Sequence, residues 1–353
     1  MIQIPSLDYT IEIGEIHESS LQKILSTDFK QAKKVIICDE NTHEHCVSHL
    51  TIGFDELANA EIIVLPAGED NKIMEICMQV WEALSEYQIQ RNDLIINVGG
   101  GMITDLGAFV ASIYKRGVSF INIPTSLLAM VDASSGGKTG VDLGVYKNQL
   151  GLFSIPKLVV CDPIFLSTLP EEEKLWGKAE MLKHGLIQSK EHWDKLKKLP
   201  VSEISLEDIG VSIAIKNDVV LNDFKEENIR KTLNFGHTIG HAIEGHFLSF
   251  EKKAHGHCVA WGLVAESLLA YKFGQLTNDD YQDILAHISN EYPPISIKSD
   301  AIESIIELMK NDKKNRLSSI NFTSISSIGS AQIDQTYTVE QITEVVETLF
   351  TQN

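Results

Sequence analysis

Two histidines one helical turn apart, His237 and His241, sit in the run Leu233-Asn234-Phe235-Gly236-His237-Thr238-Ile239-Gly240-His241-Ala242-Ile243-Glu244. That spacing puts both imidazoles on one face of a helix. A third histidine follows in His255-Gly256-His257, and Glu180 lies one turn before Lys183. A carboxylate and two imidazoles with an open fourth position are the ligand set of a catalytic zinc ion. An isolated histidine pair is more often a core or surface pair. Here the third histidine and the flanking glycines, which allow close backbone approach, favour the metal.

A second kind of chemistry is suggested by glycine. Gly99-Gly100-Gly101 follows an apolar run and precedes a helix expected over Asp105 to Tyr114. Backbone N–H groups of such a turn can meet a phosphate at a helix N-terminus, although a plain tight turn has the same look. Asp39, just past an earlier apolar run, suits a ribose hydroxyl or a helix N-cap. Ser134-Ser135-Gly136-Gly137-Lys138-Thr139-Gly140 has the character of a phosphate cradle without the full P-loop spacing. Lys147-Asn148 adds a cation and an amide donor. The chain carries a net charge of −19. Yet Arg116, Lys138, Lys147, Lys183, Lys216, Arg230, Lys313 and Lys314 lie within the motif-bearing segments. Singly each reads as a solvated surface cation; together they imply a pocket for a polyanionic small molecule.

Positioning these residues requires two kinds of scaffold. Val35 to Cys38, Glu61 to Leu65, Asp93 to Val98 and Val118 to Ile123 are apolar runs typical of strands buried on both faces. Helical spacing over Asn71 to Tyr87 alternates with them, so the first part reads as an α/β domain. From Leu169-Pro170 onward the pattern is mainly helical, over Glu171 to Leu186, Val201 to Phe224, Asn228 to Phe247, His257 to Phe273 and Asp300 to Lys310. Ile320 to Ile328 reads as a late strand. The expected division is residues 1–165 and 166–353, and 353 residues suit two domains.

Composition narrows the class. Hydrophobic residues make 43% and charged residues 22% of the chain, which excludes a disordered or fibrous protein. The strongly negative charge argues against a nucleic-acid binder. No apolar run reaches the 18 or so residues of a membrane span. The first residues lack the pattern of a secretory signal. Five scattered cysteines without CxxC spacing suit reduced thiols in a cytoplasmic protein.

With these motifs in order, the sequence resembles the 3-dehydroquinate synthase family of sugar phosphate cyclases. The resemblance runs through Pro66-Ala67-Gly68-Glu69 with Lys72, Gly99-Gly100-Gly101 with Asp105, Arg116-Gly117, and Pro124 to Ala129. It continues through Asp132 to Lys138, Lys147-Asn148, Phe165 to Pro170, Glu180 with Lys183, Arg230 to Glu244, His255-Gly256 and Asp312-Lys313-Lys314. It implies a Rossmann-like N-terminal NAD-binding domain, a mainly α-helical C-terminal metal-binding domain, and a site in the cleft between them. It also implies a homodimer in which Arg116 reaches the neighbouring subunit's site.

By the family pattern Asp39, Glu69, Lys72, Gly100, Gly101, Asp105, Thr125, Ser126, Phe165 and Thr168 would hold NAD. Lys138 and Lys147 would lie between cofactor and substrate. Glu180, His237 and His255 would bind zinc, cobalt or another divalent ion. Asp132, Asn148, Lys183, Lys216, Arg230, Asn234, His241 and a lysine of Lys313-Lys314 would contact an anionic sugar phosphate. The implied reaction turns 3-deoxy-D-arabino-heptulosonate 7-phosphate into 3-dehydroquinate and phosphate, a phosphorus–oxygen lyase step of the shikimate pathway. His241 is the expected proton relay.

Three departures bear on this. Ser126 replaces the family's second threonine, His257 stands where the family has glutamate, and Trp261 replaces a smaller residue. They open the alternatives of a sibling cyclase with another sugar phosphate and of His257 as a competing ligand. A polyol dehydrogenase of the glycerol-dehydrogenase kind and a non-catalytic NAD sensor are the remaining readings.

Overall fold

The computed structural model describes residues 1–144, 146–248, 250–310 and 319–351. The chain forms two compact units. One comprises Met1–Gly177 and Ser205–Asn217, the other Lys178–Ile204 and Asp218–Asn353. The sequence reading has one boundary at 165/166. The structure differs because a helix spanning Leu206–Asn222 begins in the first unit, which the local apolar pattern does not reveal.

The first unit is built on a seven-stranded sheet of order β1-β2-β9-β6-β5-β3-β4. Its strands are β1 Ile2–Pro5, β2 Thr10–Ile13, β3 Lys34–Asp39, β4 Glu61–Leu65, β5 Leu94–Gly99, β6 Ser119–Pro124 and β9 Val159–Cys161. All neighbours are parallel except β1 and β2. Three of the apolar runs are the inner strands β3, β5 and β6, the fourth is the edge strand β4, and every residue of β5 is buried. Covering both faces of a sheet requires side chains that are apolar in both directions, hence the continuous runs. β1, β2 and β9, which the sequence reading lacks, have three or four residues each. Asn217 donates to the Pro5 carbonyl at 2.9 Å, and Gly210 faces Ile2 and Ile13. The Ser205–Asn217 segment therefore packs on the β1–β2 hairpin.

Register gathers the carboxyl ends of the inner strands. Gly99 pairs with Pro124, and Cys38 with Val98. Asp39, the glycine turn and Thr125 thus lie along one edge, the usual ligand side of a parallel sheet. The helix after the turn is Gly101–Ile113, four residues earlier than expected, with Gly100 at its N-cap. The expected phosphate loop Ser134–Gly140 is instead the entry to a hairpin of β7 Lys138–Leu143 and β8 Tyr146–Phe153. Gly140 serves strand pairing there: a Cβ would lie 2.8 Å from the Leu150 carbonyl. Asp142 N–H donates to the Lys72 carbonyl at 2.8 Å, which ties this hairpin to the segment before the Met74–Glu86 helix.

The second unit is mainly helical, with an antiparallel pair, β10 Ser319–Ser327 and β11 Ser330–Thr338. The expected continuous helix over Asn228 to Phe247 is broken. Ile229–Asn234 is a 3-10 turn, Gly236 takes a left-handed φ of 81°, and the α-helix is His237–Phe247. It packs closely on the His255–Lys272 helix. A Cβ on Gly262 would stand 1.9 Å from the Gly236 carbonyl, so only glycine fits at that crossing.

Candidate active site

In the second unit, Glu180 is fully buried on the Glu171–Gln188 helix. His237 and His255 are the first residues of their helices. His237 Nε2 lies 3.4 Å and His255 Nε2 3.5 Å from the same oxygen, Glu180 Oε1. The opposite ring nitrogens are occupied: His237 Nδ1 meets the Phe235 carbonyl at 3.2 Å, and His255 Nδ1 meets Glu244 Oε2 at 3.0 Å. Carbonyl and carboxylate both require an Nδ1–H donor. In the neutral, ion-binding form of each ring, that leaves Nε2 as the lone-pair nitrogen on the side of Glu180. Two atoms about 2.1 Å from one tetrahedral ion lie about 3.4 Å apart. The observed separations therefore fit a divalent cation among Glu180, His237 and His255.

The electrostatics agree with that fit. Burial alone would push the Glu180 carboxyl up, but Lys183 one turn on, then His237, hold it well below the usual carboxylate range. Burial would lower His255, yet Glu244 and Glu180 raise it to about 10, so the position favours positive charge. His241, whose ring lies 5.0 Å from that of His237, is pushed down to about 3 by burial and then by His237 and His255. It is therefore neutral. His241 also forms a close ligand cluster with His237 and His255. His257 is turned elsewhere: its Nε2 meets the Pro293 carbonyl at 2.6 Å, and Trp261 Nε1 donates to the same oxygen at 2.7 Å. The two unusual residues together brace one loop.

Before the His237–Phe247 helix, Asp223 accepts backbone N–H groups of Asn228 at 2.7 Å and Arg230 at 3.0 Å. Arg230 is buried, and its guanidinium donates to the Phe224 carbonyl at 2.6 Å. Asn234 donates to Glu226 Oε1 at 2.6 Å. Glu226 is a site residue absent from the sequence reading. It lies in Lys225-Glu226-Glu227, which looks like a solvated charge run, and its left-handed φ of 61° carries no sequence mark. Glu244 is also missed as a histidine partner, although its place seven residues after His237 puts it on the same helix face.

The first unit gathers a different set. Lys72 pairs with Asp105 at 2.6 Å and with Glu69 at 3.5 Å, and Lys147 bridges Glu69 at 3.7 Å and Asp142 at 3.2 Å. Burial would lower Lys72, but Asp105 and then Glu69 raise it above its ordinary value. Asp142 Oδ1 accepts the Asn148 N–H at 2.7 Å, which places Asn148 next to Lys147. Lys216 pairs with Asp132 at 2.7 Å. The Asp39 carboxylate realises the N-cap reading, accepting the Thr42 N–H at 2.8 Å. Thr125 N–H donates to the Gly99 carbonyl, and Ser126 Oγ accepts from Ala129 N–H. Lys138 is exposed at the start of β7, and Arg116 is exposed in a left-handed run with Lys115 and Gly117. Phe165 is buried edge-on against His49, and Thr168 is exposed. Lys313 and Lys314 lie outside the described residues.

Family models described as 3-dehydroquinate synthase N-terminal and C-terminal match residues 62–175 and 177–315. A 3-dehydroquinate synthase of Parabacteroides distasonis is 40% identical over 335 residues, 94% of each chain. One of Thermoanaerobacter pseudethanolicus is 35% identical over 98% of this chain and 99% of its own. Among solved structures, a 2-deoxy-scyllo-inosose synthase complexed with carbaglucose-6-phosphate, NAD+ and Co2+ superposes with a TM-score of 0.85. It is 24% identical over 99% of both chains, a likeness of fold. A Schizosaccharomyces pombe glycerol dehydrogenase has a TM-score of 0.63 at 15% identity, over 96% of this chain and 88% of its own. No described helix is long and apolar enough to cross a membrane.

Proposed function

The chain belongs to the 3-dehydroquinate synthase family, and from that premise we propose that it converts 3-deoxy-D-arabino-heptulosonate 7-phosphate to 3-dehydroquinate and phosphate. The observation that carries this reading is the pair of imidazole Nε2 atoms facing one buried carboxylate oxygen. The cofactors are NAD and a divalent metal, as in the synthase complexed with NAD+ and Co2+. When bound, NAD supplies a recyclable hydride acceptor and the metal a Lewis acid.

The chain's own residues have these roles. Gly100 and Gly101 present backbone N–H groups to the pyrophosphate, with Asp39, Glu69, Lys72 and Asp105 on the polar groups of the dinucleotide. Glu180, His237 and His255 hold the metal, and Lys183 keeps Glu180 ionised. Arg230, held by the Phe224 carbonyl, offers its planar fork to the substrate carboxylate. Lys138, Lys147 and Lys216 meet the phosphate and ring hydroxyls. His241 is the proton relay beside the metal ligands, a role that requires its proton affinity to rise from the value that burial sets. The enzyme is a phosphorus–oxygen lyase and works as a homodimer in the cytoplasm. Support for the dimer is the family resemblance and Arg116, exposed in a left-handed backbone run. Support for the reducing compartment is five free cysteines, all buried.

The test follows phosphate release from the keto acid phosphate while NADH absorbance is recorded, with NAD substoichiometric. Many turnovers with flat NADH absorbance are expected; one NADH per turnover would mean a polyol dehydrogenase. Arg230→Met should lower kcat/KM roughly 30- to 1000-fold through the lost carboxylate contact. Preference of the unmodified protein for sedoheptulose 7-phosphate, which lacks that carboxylate, would replace this reading with a sibling cyclase.

A further inference from the structure

The helix that begins at His237 has a glycine at its N-cap, which has no side chain to satisfy the first backbone N–H groups. The cap comes from another helix. Glu266 Oε2 accepts the Gly236 N–H at 2.6 Å, and Oε1 accepts the Ile239 N–H at 3.1 Å. Glu266 is 1% exposed. Among the described residues no lysine, arginine or histidine pairs with it, and its partners are these backbone groups and the Thr238 N–H. A buried carboxylate without a cation is costly, and a simple core position would be filled more favourably by an apolar side chain. What Glu266 gains is the end of the helix that carries His237.

Its own helix matters equally. Glu266 stands eleven residues after His255, and eleven residues are close to three full turns, so both occupy one stripe of the His255–Lys272 helix. That helix therefore presents His255 at its start and grips the start of the partner helix three turns later. Gly262 lies between them at the closest crossing, against the Gly236 carbonyl. Sideways motion of the His237 end is blocked by that contact, and motion along the axis by the two hydrogen bonds.

We infer that Glu266 is a positioning residue for the metal centre, fixing the His237 end of one ligand-bearing helix against the helix that carries His255. This rests on the reading of Glu180, His237 and His255 as metal ligands.

The experiment titrates metal-free protein with Co2+ alone and follows the d–d absorption. Glu266→Gln turns an amide donor toward an N–H donor. We expect its Co2+ Kd to be at least tenfold weaker than that of the unmodified protein, the range seen for groups that orient ligands. Leu263→Ala removes packing next to Gly236 and leaves the carboxylate in place; its Kd should stay within tenfold. Saturating Co2+ should restore the kcat of Glu266→Gln to within about threefold, with KM unchanged, as expected for a residue that acts only through metal occupancy. A Glu266→Gln Kd within tenfold of normal overturns the inference. So does an equal loss in Leu263→Ala, which would make the effect one of general packing. If Glu266→Gln does not fold, Glu266→Asp is judged by the same tenfold limit. His237→Ala separates the two claims: retention of Co2+ by that variant overturns the ligand reading and this inference with it. Loss of Co2+ there, with normal binding by Glu266→Gln, overturns the inference alone.

Discussion

The two units handle buried charge in opposite ways. In the first, Lys72 and Lys147 partly compensate three carboxylates, Glu69, Asp105 and Asp142, through contacts of 2.6 to 3.7 Å. In the second, Glu180 has Lys183 as a fixed partner and also faces the imidazoles of His237 and His255, and Glu244 faces His255. A set of fixed charges held in close ion pairs gives an ordered polar surface. A carboxylate that also faces imidazole nitrogens offers a ligand set for a further cation. The difference lies in histidine, which joins Lys183 around Glu180 in the second unit and has no part in the first unit's cluster.

His237→Ala breaks the second arrangement and should have the largest effect. Metal content should fall to near zero, with turnover lowered by at least about a thousandfold, on the order of 4 kcal/mol. Full metal occupancy in the purified variant, read by elemental analysis, would remove the assignment. Lys72→Met tests the first arrangement by leaving Asp105 and Glu69 without their buried cation. It should cost roughly 3–5 kcal/mol of stability, seen as a denaturant midpoint shift, with metal content unchanged. An unaltered midpoint would show that the network is not compensated as described.

Glu291 sharpens the contrast with a permanent pair placed in the second unit. It accepts from Lys178 at 2.5 Å and contacts His287 at 3.0 Å. Burial would raise its carboxyl, but His287 and Lys178 hold it below the ordinary 4.5. Because the folded value is depressed, its stabilisation is present above 4.5 and is lost as pH falls through the lowered value. Glu291→Gln should cost roughly 1–2 kcal/mol at pH 7, or a Tm drop of about 1–3 °C for a chain that unfolds as a whole. The gap to the unmodified protein should close below about pH 4.5. A gap that persists in acid would mean that packing, and not the charge, is responsible.

How much of this was legible in sequence follows from where each signal resides. β3, β5 and β6 announce themselves because strands buried on both faces must be apolar throughout. β1 alternates half-buried and exposed residues over four positions, too short for any period to register. β11 reads Ser-Ala-Gln-Ile-Asp-Gln-Thr-Tyr-Thr, with its outward residues polar, and so looks like a loop. Glu180 with Lys183, and His237 with His241, are visible because helix-turn spacing is local. Glu226 and Glu266 act on residues 8 and 30 positions away, respectively, through packing between separate segments. The break at Gly236 is hidden for the same reason. Its apolar neighbours keep a helical period, while the left-handed turn depends on a carbonyl pressed against Gly262.

The first unit is not a continuous stretch of chain. Residues 1–177 need Ser205–Asn217 to complete them, so the polypeptide passes from one unit to the other three times. A gene cut at the junction of the two family models, near residue 176, would yield a first fragment whose β1–β2 hairpin has lost the helix that packs on Ile2 and Ile13. The second fragment would carry that orphaned amphipathic turn as an exposed apolar surface. Chimaeras that exchange halves with a relative would join a sheet from one parent to a covering helix from the other. Three crossings also mean that neither unit can unfold fully without pulling on the other at three tethers. Unfolding of the whole chain is then expected as one coupled event, and partial digestion should not release a stable half.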